Sequence, residues 1–169
     1  MKLPRFSPLV VAVTVLAVSA ATFASMRPGW HSYSQSQRNQ LIVNRAYAQN
    51  GQFTGQSCKE WVRTVVYSAS GQAVWLPSTV PNNYQWYPSS DVYTVPYCPS
   101  IYSAGPGAVI QMVSTSGTPH TAIVTSTTGS GMNWIDCNWN RDMRVTTHYI
   151  SYSQFASSYG NFYTVNYIK

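Results

Sequence analysis

The chain has 169 residues, a net charge of +6, 8% charged side chains and 14% aromatic ones. That length suits one domain with a sizeable core rather than several. The basic residues Arg38, Arg45, Lys59, Arg63, Arg141 and Arg144 are scattered rather than packed into a patch, which argues against nucleic acid as a partner.

Residues 1–24 begin Met1-Lys2-Leu3-Pro4-Arg5 and continue as an apolar run over 9–24, the pattern of a secretory signal peptide. The run is shorter than the roughly 20 residues a spanning helix needs. Thr22-Phe23-Ala24 places small residues at the −3 and −1 positions, so cleavage after Ala24 is expected, with an uncleaved N-terminal anchor as the alternative. Cleavage leaves residues 25–169, 145 in all, removes Lys2 and Arg5, and takes the net charge from +6 to +4. The expected product is secreted, extracellular or periplasmic, and free of the membrane. Residues 25–35 read as a flexible lead-in, and 36–169 as the single domain. Export also means an oxidising compartment, where three cysteines cannot all pair and one thiol is left over. With no C-x-x-C and no close Cys/His grouping, no metal or other cofactor is expected.

A first helix is predicted over 36–50, with Leu41, Ile42 and Ala46 on one side and Gly51 closing it. A second starts at Cys58. Ser57 and Glu60 form the S-x-x-E signature of a helix start, and Cys58, Trp61, Val62, Val65 and Val66 fall at the spacing of one buried face. A thiol there gains from the helix dipole and the free N–H groups, which favour its thiolate. The plainer alternative is a buried small side chain or half of a disulfide. Residues 72–106 carry turn formers together with Trp75, Tyr84, Trp86, Tyr87, Tyr93, Tyr97 and Tyr102, either a groove for sugars and extended peptides or a cover over the core. Strands are predicted over 108–113, 120–125, 133–139, 143–149 and 162–168, the first two joined to their successors by short turns. Helices followed by an antiparallel meander indicate an α+β fold.

His120 opens the second of these strands, and Asp136 and Asn138 lie on the next, sharing a face by strand alternation. A helix-start cysteine, a strand histidine and a neighbouring Asp or Asn are the parts of a thiol hydrolase. Cys137 points the other way from Asp136, and Cys98 ends the aromatic segment. A Cys98–Cys137 disulfide is therefore expected, leaving Cys58 free. Backbone N–H groups at the helix start, that of Cys58 included, would hold the oxyanion.

Gly-Gln-Ser-Cys58-Lys-Glu-Trp-Val, Pro106-Gly-Ala-Val-Ile-Gln111, His120-Thr-Ala-Ile-Val124, Asn133-Trp-Ile-Asp-Cys-Asn-Trp139 and His148-Tyr-Ile150 resemble, in order over 36–169, the CHAP family of cysteine, histidine-dependent amidohydrolases and peptidases. These are relatives of the NlpC-type cell-wall peptidases. The resemblance implies a papain-like fold with N-terminal helices packed on a mostly antiparallel sheet. It makes Cys58 the nucleophile, His120 the general base and Asp136 or Asn138 the orienting residue. Asn138 is favoured because papain-like sites use an amide. The likeness also offers Gln56 as a side-chain oxyanion donor and peptidoglycan, or another cell-wall peptide, as substrate for a monomeric enzyme. The sequence departs from the family where Gly107-Ala108 stands in place of a frequent Gly-Asp, and where Ser57 separates Gln56 from the nucleophile. Two other readings compete: a non-catalytic, aromatic-rich cell-wall or carbohydrate binding module on the same scaffold, and acyl transfer to an amine in place of hydrolysis.

Overall fold

The computed structural model describes residues 29–77, 86–88, 90–94 and 100–169. Helix α1 (Gln35–Tyr47) starts at Ser34, whose hydroxyl accepts from Gln37 N while the Gln37 side chain accepts from Ser34 N. This reciprocal cap fixes the start one residue ahead of the sequence expectation. Helix α2 (Cys58–Ala69) starts as expected, with Ser57 Oγ accepting from Glu60 N at 3.4 Å and the Glu60 carboxylate paired with Arg63.

Six strands form one antiparallel sheet: β1 (Val92–Thr94), β2 (Val109–Val113), β3 (Pro119–Thr127), β4 (Gly131–Cys137), β5 (Val145–Ser151) and β6 (Tyr163–Ile168), in the order β1-β6-β2-β3-β4-β5. The class is α+β, with the N-terminal helices packed on the sheet as expected. β2 to β5 are the predicted meander; β6 returns to the free edge of β2 instead of extending it. Helices α1 and α2 cover one face, where Ile42, Ala46, Trp61, Val62 and Val65 pack against Val109, Ile123, Ile135 and Cys137. On the other face Ile110, Ala122, Met132 and Trp134 are covered by α3 (Tyr152–Tyr159) through Phe155 and Tyr159. Burial on both faces explains why the central strands read as continuous apolar runs rather than alternating ones.

Three features depart from the sequence expectation. Helix α3 lies in a stretch to which the sequence reading assigns no element, although Ser151 and Gln154 form a second reciprocal cap there and Gly160 (φ 53°) ends the helix. Strand β1 falls inside the segment expected to be irregular. Residues 29–35, expected to be a loose lead-in, belong to the domain: Trp30 is buried, and its indole N–H donates to the Lys169 carbonyl. One aromatic outweighs the polar character of its neighbours. Residues 25–28, and the expected signal peptide before them, lie outside the described residues. Among the described residues, no helix is long and apolar enough to cross a membrane.

Gly107 sits where α1 crosses the start of β2. Its φ is +83°, and a Cβ there would stand 2.5 Å from Asn39 Cα. Strain and a backbone clash coincide, so Gly107→Ala is expected to destabilise by about 3 kcal/mol or more, measured as a lowered denaturant midpoint at unchanged m value.

Candidate active site

The site assembles at the start of α2 and the adjoining ends of β3, β4 and β5. Cys58 is the first residue of α2 and is half-buried. His120 is the second residue of β3, and Asp136 lies on β4 directly opposite Ala122 of β3 and Thr146 of β5. A side chain two positions along a strand shares the face, so His120 and His148 approach Asp136 diagonally from its two flanking strands. His120 Nε2 lies 3.3 Å from Asp136 Oδ2, and His148 Nε2 lies 3.6 Å from Oδ1. Asp136 has no exposed surface, and neither of its oxygens has a well-aligned hydrogen bond.

His120 stands within hydrogen-bonding reach of Cys58. Since Nε2 faces Asp136, Nδ1 is left for the thiol. Burial opposes ionisation of Cys58, but the hydrogen bond and charge of His120, with the main-chain N–H groups of Thr121 and Lys59, outweigh it and lower the thiol pKa. Burial likewise opposes charge on His120, and the Asp136 carboxylate and Cys58 outweigh it, so that its pKa is pushed up to about 9. Both shifts favour a thiolate–imidazolium pair, the nucleophilic form of a cysteine hydrolase.

That pair exists above the lowered Cys58 pKa and below about 9. Turnover is therefore expected to rise on the acid side as the pair forms and to fall as pH passes through about 9, where His120 loses its proton. The two limbs belong to the coupled pair rather than to either residue. By linkage, the raised His120 pKa also adds stability that is complete below the free imidazole value of about 6.5 and is lost as pH rises through the folded value. A kcat/KM profile whose alkaline limb lay near neutrality would contradict this assignment.

A cleft of about 340 Å³ opens over the thiol. Its lining includes Cys58, His120, Asn138, Trp139, Arg141 and Tyr159. The structure thus brings Cys58, His120 and Asp136 together as expected from the sequence. It does not place Asn138 as the orienting residue. β4 ends at Cys137, and Asn138 turns into the left-handed region (φ 67°), breaking the alternation that would put it on the face of Asp136. Its Oδ1 instead accepts from Met143 N at 3.0 Å, closing the β4–β5 loop. Gln56 does not line the cleft, and its side-chain amide is turned to Thr64 Oγ1 at 3.0 Å, which does not favour it as an oxyanion donor. The N–H of Cys58, at the first position of α2, has no intrahelical partner and is left available to an oxyanion.

Cys137 is a free thiol, contrary to the expected Cys98–Cys137 bridge. It faces away from Asp136 as predicted, but its Sγ lies 3.1 Å from Thr54 Oγ1 and 3.3 Å from the Gln56 carbonyl. Burial pushes its pKa up, the opposite of Cys58. Cys98 lies outside the described residues. Of the aromatic segment, Tyr87 is core, while Trp75 and Trp86 are exposed and do not line the cleft. Tyr84 and Tyr97 also lie outside the described residues. Among the described residues, no group of three or more His, Cys, Asp or Glu side chains is placed to hold a metal ion.

His148 is a site residue that the sequence reading misses, although its alternation with Thr146 on β5 puts both on the face of Asp136. Trp139 joins the two histidines, its ring centroid 5.2 Å from that of His120 and 4.9 Å from that of His148.

No sequence-family description and no curated protein matches this chain. The fold is shared with solved structures. The crystal structure of Ly7917 matches with a TM-score of 0.54 over 77% of this chain at 13% identity. The structure of Ly7917 with the hydrolyzing product of MDP matches with a TM-score of 0.54 over 77% at 16% identity. This chain spans 62% and 63% of the length of those two chains. At such identity the likeness establishes the fold alone.

Proposed function

We propose that this chain is a secreted cysteine amidohydrolase or peptidase of the CHAP type that cleaves amide bonds in peptidoglycan. The observation that carries the reading is the grouping of Cys58, His120 and Asp136 beneath an open cleft, with the thiol pKa lowered and the imidazole pKa raised. A structural cysteine has no need of either shift. The fold neighbour solved with a product of MDP, muramyl dipeptide, supports a cell-wall fragment as the substrate class. So does the sequence-level signature of export. Arg141, exposed at the cleft and without an acidic partner among the described residues, supplies a charge suited to the carboxylates of wall peptides.

The chemistry follows from the atoms in place. The Cys58 thiolate attacks the amide carbon, and the carbonyl electrons move onto oxygen, where the Cys58 N–H stabilises them. His120 gives its proton to the leaving nitrogen as the C–N bond breaks, leaving an acyl thioester and a free amine. Neutral His120 then takes a proton from water, which attacks the thioester. Collapse of that second intermediate releases a carboxylate, and thiolate and imidazolium are restored. The Asp136 carboxylate beside His120 balances the charge of the imidazolium.

The test is digestion of purified peptidoglycan by the protein, with mass spectrometry of the soluble fragments. New amine and carboxylate ends in equal number support hydrolysis. Release of neither from any wall preparation, by protein with a reactive Cys58, would overturn the substrate assignment.

A further inference from the structure

Asp136 is fully buried beside His120, yet neither of its oxygens has the aligned hydrogen bond that would fix the orientation of the carboxylate. Among the described residues, no lysine or arginine forms an ion pair with it. The titratable groups around it are His120 from β3, His148 from β5, Tyr159 from α3 and, beyond His120, Cys58 from α2. Its β4 neighbour Cys137 points to the opposite face. Tyr159 stays neutral, burial and then the charges of Asp136 and Cys58 having raised its pKa to about 12. Of these groups, His120 stands by Oδ2 and His148 by Oδ1.

His148 Nε2 lies 2.8 Å from Thr146 Oγ1 as well as 3.6 Å from Asp136 Oδ1. A hydrogen on Nε2 keeps a lone pair from facing the carboxylate charge. Thr146 then accepts, and its short contact pins the ring, while Trp139 packs on the ring at 4.9 Å. The imidazole is thus fixed with its N–H turned to the gap between Thr146 Oγ1 and Asp136 Oδ1.

Building on Cys58 as the nucleophile, we propose that His148 is a positioning residue that keeps Asp136 turned toward His120, and through His120 keeps Cys58 as a thiolate. Without it the carboxylate is free to turn away from His120. His120 then loses its countercharge, and the share of thiolate below neutrality falls. The effect reaches the thiol through two intervening side chains, and His148 itself does not line the cleft over Cys58.

The test is the iodoacetamide alkylation rate of Cys58, mapped by peptide mass spectrometry, for wild type, His148→Ala and His148→Gln from mildly acid to strongly alkaline pH. His148→Ala is expected to react roughly tenfold more slowly on the acid side, the change that one unit of pKa produces. In alkali, where the thiol ionises unaided, it is expected to match wild type. His148→Gln restores a side-chain N–H and is expected to recover most of the acid-side rate. In turnover, kcat falls and KM holds. Equal alkylation of His148→Ala and wild type at every pH would overturn the proposal. Slowing by the same factor at all pH values, with no rescue by glutamine, would overturn it in favour of a packing role. Because alkylation needs no substrate, an error in the peptidoglycan assignment leaves these outcomes intact; a wild-type Cys58 that reacts like an ordinary thiol would instead remove the nucleophile on which both rest.

Discussion

Cys58→Ala is expected to abolish turnover, by on the order of 10⁴-fold or more, while the fold persists. The Cys58 sulfur is the cleft-lining nucleophile that His120 activates, and alanine leaves α2 with its Ser57 cap and its buried Trp61, Val62, Val65 and Val66. Loss of one half-buried sulfur at a helix start costs about 1 kcal/mol or less. His120→Ala is expected to lose a comparable factor, and the double variant little more, because the two residues act as one unit. Wall digestion that persisted in purified Cys58→Ala would refute the nucleophile outright.

Asp136 is expected to show the next largest effect, and the contrast with Asn138 is the informative part. Asp136→Asn keeps the shape and removes the charge that balances His120, so kcat should drop by roughly 10³-fold or more, as when a buried triad carboxylate is neutralised. Asp136→Ala should do the same and also leave buried polar groups unpaired, lowering stability by about 1–3 kcal/mol. Asn138→Ala removes the bond to Met143 N and a residue suited to left-handed backbone. Its cost should fall on loop stability, about 1 kcal/mol, with turnover within roughly tenfold of wild type. Kinetics on the three variants, with urea melts alongside, separate the roles. A collapse of kcat in Asn138→Ala with Asp136→Asn near wild type would reverse the assignment.

Much of this site is legible in the amino-acid sequence, and the parts that are not share a physical cause. The start of α2 is written locally in Ser57, Glu60 and the apolar stripe, and local signals survive folding. His120 and Asp136 come together because a short hairpin connects their strands, which leaves few registers open. Asn138 fails for the opposite reason: strand alternation predicts a face only while the strand lasts, and the left-handed turn at Asn138 ends it one residue too soon. For Cys137 alternation supplies a direction, which holds, whereas a bridge depends on which loop reaches that face, and Thr54 does. His148 needs the register of the β4–β5 hairpin, whose loop over 138–144 is longer than the β3–β4 turn and leaves more registers open. The anchoring of Trp30 to Lys169 is a long-range fact that a single sequence does not state. Helix α3, by contrast, carries the same local cap signature as α1 and is readable from Ser151, Gln154 and Gly160.

The pairing of Cys58 with His120 is the claim on which the rest depends. It is tested most directly by the pH dependence of mapped iodoacetamide alkylation at Cys58, in wild type and in His120→Ala. The account predicts that wild-type Cys58 reacts well below the free thiol pKa of about 8.5, that activity is lost in step with its modification, and that His120→Ala moves the reaction upward in pH. A wild-type Cys58 that titrated as an ordinary thiol, unmoved by the loss of His120, would contradict it.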